Sequence, residues 1–222
     1  MEIWLDTCDS EIISNANRLG IIHGVTTNPS ILAKAGEDHE IVINRILDNQ
    51  NGPVAVQVTA YNADGMIKQA LALHSISDKI IVKIPVVQDG LVAIKYLSRE
   101  NIPVMATAVF QPNQALLAAL AGADYVAPYV GRIFDEGIDA YNALEMMKTI
   151  YKSYGFKTKI LAAALRTPDQ MMMCARLGIH AVTIKSTLFS EFTADDESTL
   201  NCLSVFAEDW DACKTRVLSA LV

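Results

Sequence analysis

Glu2-Ile3-Trp4-Leu5-Asp6-Thr7-Cys8-Asp9-Ser10 opens the chain with a strand-like run, Glu2–Asp6, that ends in a carboxylate and small polar residues. A doubly wound nucleotide-binding sheet places a glycine-rich phosphate loop directly after its first strand. No such loop follows Asp6. Further β-rich runs recur at Gly24–Asn28, Val54–Val58, Ile80–Pro85, Val104–Val109, Tyr125–Val130, Lys159–Leu165 and Ala181–Lys185. Helical periodicity separates them at Asp64–Leu73, Leu91–Ser98, Gln111–Ala121, Ala140–Tyr151 and Asp169–Leu177. Asn28-Pro29, Gln111-Pro112 and Thr167-Pro168 mark helix starts, where proline suits the first turn. Gly20, Gly122 and Gly178 stand where helices should end. This alternation predicts an α/β fold, a compact (β/α)₈ TIM barrel, with about eight repeats and few insertions. The tail from Glu208-Asp209-Trp210 to Val222 reads as one or two extra helices, a C-terminal extension over about 200–222.

The 222 residues contain no Pro/Gly/Ser linker and no abrupt charge shift, so a single domain over 1–222 is expected. The hydrophobic fraction of 51% is high, yet no apolar stretch reaches the roughly 18 residues of a membrane span. The excess points to buried helices or contacts between subunits. A net charge of −7 without a basic cluster argues against nucleic-acid binding. An anionic substrate must then be held by a few local cations. Cys8, Cys174, Cys202 and Cys213 form no CxxC pair and the histidines are scattered, which predicts neither metal site nor disulfide scaffold. Reduced cysteines, and an N-terminus with no secretory signal, fit a cytoplasmic protein.

Lys83 lies inside an apolar run, Ile80-Ile81-Val82-Lys83-Ile84-Pro85-Val86-Val87. A buried ammonium is costly, so such a lysine is either paired or driven toward its neutral amine. A neutral amine in a dry site attacks carbonyls to form Schiff bases. The plainer reading has Lys83 ending the strand and snorkelling out beside Asp78 or Asp89. The other strand ends weigh against it. In a barrel those ends converge on one face, and here they carry Asp6, Thr26-Thr27-Asn28, Gln57 with Thr59, Thr107, Tyr129 with Arg132, and Lys185-Ser186. Left unpaired in an apolar core, each would cost about 1–3 kcal/mol. Each also has a dull explanation: Asn28 as a mere helix cap, or Gln57, Thr107 and Tyr129 turned outward.

GVTTNPS (Gly24–Ser30), IVKIP (Ile81–Pro85), ADYVAPYVGR (Ala123–Arg132) and ILAAALRTP (Ile160–Pro168) together resemble the small transaldolase group, which includes the fructose-6-phosphate aldolases. The likeness runs from Met1 through Asp209-Trp210. It implies Lys83 as the imine-forming lysine and Asp6 as the acid that assists proton movement beside it. Gln57, Thr107 and Tyr129 match a trio that holds a catalytic water. Asn28 matches a ligand of the donor's hydroxyls, with Thr26 beside it as a second candidate for substrate binding. Arg132 matches the arginine that takes a sugar phosphate. No cofactor is implied. The implied partners are a sugar phosphate or dihydroxyacetone, and further copies of the chain in rings of five or doubled rings of ten.

The resemblance divides on two residues. Transaldolases of the group resemble one another in carrying glutamate where Gln57 stands and phenylalanine where Tyr129 stands. Glutamine and tyrosine follow the fructose-6-phosphate aldolase pattern, and the tyrosine hydroxyl adds a group that can hold water near the enamine. The expected activity is therefore reversible cleavage of fructose 6-phosphate to dihydroxyacetone and glyceraldehyde 3-phosphate. The alternative is a transaldolase of the pentose phosphate pathway, passing a dihydroxyacetone unit to an aldose phosphate. A barrel that binds sugar phosphates without catalysis is the reading from another class. Two positions depart from the family pattern. Ala164 replaces a serine that contacts phosphate, and Lys185 stands where a proline is usual. Lys185 is a candidate phosphate ligand in place of the missing hydroxyl, or else a rim salt-bridge partner of Glu191 or another carboxylate. It is also the rival of Lys83 as imine former.

Overall fold

The computed structural model describes residues 1–212 of the chain. Its strands are β1 (Glu2–Asp6), β2 (Ile22–Thr26), β3 (Val54–Gln57), β4 (Ile80–Pro85), β5 (Val104–Val109), β6 (Tyr125–Pro128), β7 (Lys159–Ala162) and β8 (Ala181–Ile184). All pair in parallel and in chain order, and β1 pairs with β8 to close the barrel. The (β/α)₈ expectation holds.

The helices are α1 (Ser10–Asn17), α2 (Pro29–Lys34), α3 (His39–Asn49), α4 (Ala63–Ile76), α5 (Gln88–Arg99), α6 (Pro112–Ala121), α7 (Val130–Asp135), α8 (Ala140–Tyr154), α9 (Pro168–Arg176), α10 (Ser186–Phe192) and α11 (Glu197–Ala212). The three helix-starting prolines lead α2, α6 and α9, each preceded by a residue in extended conformation. Gly20, Gly122 and Gly178 have φ of 69°, 99° and 66°, the left-handed conformation that releases a helix into the next strand. The short helices α2 and α7, six residues each, are too brief to show a period.

Several strands stop short of the expected ends. β2 stops at Thr26 because Asn28 already caps α2, and β6 stops at Pro128 because Val130 begins α7. β7 stops at Ala162, and Ala164 has φ 59°, which ends the extended run.

Side chains alternate along a strand, and in this barrel one set meets at the centre. Trp4, Ala55, Ile81, Met105, Tyr125, Ala127, Leu161 and Ala181 pack into one buried cluster. β2 contributes Gly24 at this level. A Cβ there would lie 2.7 Å from the Trp4 ring and 2.6 Å from the Pro53 carbonyl oxygen. The missing side chain is what admits the indole.

The barrel lies in a compact unit, Met1–Phe189, and a second unit starts at Ser190. Within that second unit α11 buries no residue and exposes Leu200, Leu203, Val205, Phe206 and Trp210. The expected extension is thus helical as far as Ala212, and its remainder, 213–222, lies outside the described residues. Among the described residues no helix is long and apolar enough to cross a membrane.

Candidate active site

Seven polar side chains sit one inward-facing position beyond the central packing layer, toward the C-terminal ends of the strands. Asp6 follows Trp4, Thr26 follows Gly24, Gln57 follows Ala55, and Lys83 follows Ile81. Thr107 follows Met105, Tyr129 follows Ala127, and Thr183 follows Ala181. The alternation that fills the middle of the barrel with apolar groups therefore delivers a polar ring just above it. The fold brings Asp6, Thr26, Gln57, Lys83, Thr107 and Tyr129 together as the sequence predicts. It adds Thr183.

Lys83 is 6% exposed, and its Nζ donates to the Thr27 carbonyl at 2.6 Å. Burial lowers its pKa from 10.5 to about 8, against the pull of the nearby Asp6 carboxylate, which raises it. Snorkelling toward Asp78 or Asp89 is thereby ruled out. Lys83 pairs in register with Gln57 on β3. Asp6 pairs in register with Thr26 and accepts its hydroxyl at 2.8 Å. Thr26 in turn lies 2.6 Å from the Thr183 hydroxyl.

On the other side, the Thr107 and Tyr129 hydroxyls lie 3.1 Å apart. Thr107 is fully buried, and the β5 ladder is irregular just beyond it, where Ala108 has φ 57°. Tyr129 packs against the central cluster with its ring edge 5.6 Å from Phe110, centroid to centroid. The outward-facing alternative for Thr107 and Tyr129 does not hold. Asn28 does cap α2: its Oδ1 accepts from the Ile31 amide at 3.0 Å. That bond uses the oxygen and leaves the two amide hydrogens to be offered elsewhere.

Arg132 is exposed, with its guanidinium 5.1 Å from the Tyr129 ring centroid. Beside it Arg166 makes a two-pronged pair with Asp135, one bond at 2.7 Å. A Cβ at Gly131 would overlap the Ala164 carbonyl oxygen and stand 3.1 Å from Arg166 Nε. The start of α7 is therefore pressed against the segment that follows β7, and a second arginine lies beside Arg132. Arg166 was not singled out from sequence. Its signal was the Arg-Thr-Pro that follows β7. Lys185 is exposed, one residue past β8 and two beyond Thr183 in sequence, at the rim.

A cleft of about 700 Å³ opens between the β3–α4 and β4–α5 loops, lined by Gln57, Thr59, Tyr61, Pro85, Val87 and Asp89 among others. It gives Gln57 a face toward solvent. Among the described residues no three His, Cys, Asp or Glu side chains are grouped to hold a metal ion.

An eight-stranded parallel barrel whose mouth holds a buried lysine, its pKa lowered by burial, beside a carboxylate has the makings of a carbonyl-attacking enzyme. The chain belongs to the family described as Transaldolase/Fructose-6-phosphate aldolase, whose model matches residues 3–219. Two probable transaldolases of Streptococcus pyogenes, from serotypes M2 and M5, are 40% and 39% identical over 214 residues. Each alignment covers 96% of this chain and 100% of the relative. A mandelate oxidase mutant carrying an FMN adduct superposes with a TM-score of 0.59 at 13% identity, over 92% of this chain and 70% of that one. At that identity the likeness speaks for the barrel alone.

Proposed function

We propose that this enzyme is a Schiff-base aldolase that reversibly cleaves fructose 6-phosphate to dihydroxyacetone and glyceraldehyde 3-phosphate. The observation that carries the reading is Lys83, an amine with a pKa of about 8 in a buried site at the barrel mouth. Its free form attacks the ketose C2 carbonyl, and loss of water gives an iminium. A base then takes the proton from the C4 hydroxyl, the C3–C4 bond breaks toward the iminium, and the aldehyde leaves. Protonation of the enamine at C3 and hydrolysis free dihydroxyacetone. Asp6 moves protons beside the imine, and Asn28 binds donor hydroxyls near Thr26. Gln57, Thr107 and Tyr129 hold the water that relays protons to and from the substrate. Arg132 and Lys185 bind the phosphate, with Lys185 in place of the hydroxyl that Ala164 lacks. The close pair of Thr107 and Tyr129 hydroxyls supports a water site, because together they present both donors and acceptors.

The names of the streptococcal relatives favour a second reading, transfer of the dihydroxyacetone unit to an aldose phosphate. The two differ in the fate of the enamine. The test incubates the purified protein with fructose 6-phosphate alone and then with erythrose 4-phosphate added. Glyceraldehyde 3-phosphate formed without acceptor supports the aldolase. Product formed only with acceptor, as sedoheptulose 7-phosphate, replaces it with the transaldolase. In the same assay Lys185→Ala is expected to raise KM for the phosphorylated substrate, and an unchanged KM removes Lys185 from the phosphate site.

The apolar side chains that α11 exposes support assembly of several copies, with the pentamer or decamer implied by resemblance. Light scattering on the eluting protein measures it.

A further inference from the structure

The hydroxyls of Thr183 and Thr26 form a chain that ends on Asp6, and counting protons gives it a direction. An ionised carboxylate can only accept. Thr26 Oγ1, at 2.8 Å from Asp6 Oδ1, must therefore spend its single proton on that bond. At 2.6 Å from Thr183 Oγ1 it has only lone pairs left to offer, so Thr183 is the donor in the second bond. The order is Thr183 to Thr26 to Asp6. Both threonines are buried, at 5% and 1% exposure, and no rotation of Thr26 lets its one proton serve Thr183 and Asp6 at once.

We infer that Thr183 is a positioning residue for the reaction: by donating to Thr26 it fixes that hydroxyl on Asp6 and so holds the carboxylate facing the Lys83 amine. The inference rests on the Schiff-base reading, in which Asp6 moves protons at the imine. The structural reason for the arrangement is ring closure. Asp6 is on β1, and its two neighbours in the barrel, β2 and β8, supply one hydroxyl each. Thr183 pairs in register with Trp4, one inward-facing position below Asp6, so its hydroxyl reaches Thr26 rather than the carboxylate itself. Two linked hydroxyls also polarise each other, which strengthens the final bond to the carboxylate.

Thr183→Val keeps the shape and removes the hydroxyl; Thr183→Ser keeps the hydroxyl. The measurement is kcat and KM for the ketose phosphate, with the rate at which borohydride traps dihydroxyacetone on Lys83. Thr183→Val is expected to lower kcat and the trapping rate about tenfold through misplacement of Asp6, with KM little changed. Thr183→Ser is expected to recover most of the loss. In an Asp6→Asn background Thr183→Val should cause no further fall, because the group it positions is already gone. Undiminished kcat in Thr183→Val overturns the inference, as do losses that multiply in the double variant or a Thr183→Ser as impaired as Thr183→Val. Wild-type protein that traps no ketose on Lys83 removes the Schiff-base reading and this inference with it, whereas wild-type trapping with an indifferent Thr183 removes this inference alone.

Discussion

Lys83 is held in a state that costs the fold stability. Among the described residues its Nζ donates to a neutral carbonyl, that of Thr27. A pKa lowered from 10.5 to about 8 corresponds to about 3 kcal/mol against the charged form in the fold. The sign follows from proton counts. Between pH 8 and 10.5 the unfolded chain keeps a proton that the folded chain has released, so this group makes stability rise with pH across that window. Below it both states are protonated and the fold carries the full penalty. Lys83→Met should accordingly raise Tm by several degrees at pH 7, with the gain shrinking to near zero above pH 10.5, while abolishing ketose trapping. Scanning calorimetry of the two proteins across pH checks this. A variant no more stable at neutral pH would rule out a net burial penalty on Lys83. For the wild type, the rate of imine formation should climb toward pH 8 and then level as the free amine saturates.

β1 and β2 illustrate how one element sets the terms for another. Trp4 fills the middle of the barrel only because its β2 neighbour is Gly24. Gly24→Ala would push a methyl into the indole and into the Pro53 carbonyl, neither of which is a flexible side-chain end. A loss of about 1–3 kcal/mol is expected, read as a lower denaturation midpoint with an unchanged m-value. A midpoint equal to the wild type's would show that Trp4 can shift at no cost. In sequence Gly24 was legible only as the first letter of a motif. The strands were legible because β-branched runs and helical periods alternate so regularly, and three helices announced themselves by their prolines. Their exact ends were less so. Ala164 and Ala108 adopt left-handed conformations that nothing in the residue type advertises, and a six-residue helix such as α7 is too short to show a period.

The two ends of the barrel divide the work between them. At the end where the strands begin, Glu2 accepts from Lys159 at 2.5 Å, Tyr125 at 3.0 Å and Trp4 Nε1 at 3.2 Å, tying β1, β6 and β7 together below the apolar cluster. Burial raises the Glu2 pKa, but these donors outweigh it and the net shift is downward from 4.5. Its contribution to stability is thus present above pH 4.5 and is lost as pH falls through the lower folded value. Glu2→Gln should reduce stability by about 1–3 kcal/mol at pH 7 by leaving the Lys159 charge and its neighbours poorly matched. The gap to wild type should close in acid, which thermal melts at pH 7 and at pH 3 will compare; a gap that persists at pH 3 would rule out the carboxylate as its source.

Read along its length alone, the chain discloses the order of eight strands, the residue types at their ends and, through four long motifs, the family. These are local properties: period, breaker residues and runs of identity need no partner elsewhere. It could not disclose that Lys83 lies on the Thr27 carbonyl, that Arg166 pairs with Asp135 beside Arg132, or that Thr183 bonds the Thr26 hydroxyl that Asp6 accepts. Thr26 and Thr183 are 157 residues apart and meet only because the last strand pairs with the first. Closure of the ring, a property of all eight strands together, decided which side chains share the mouth of the barrel.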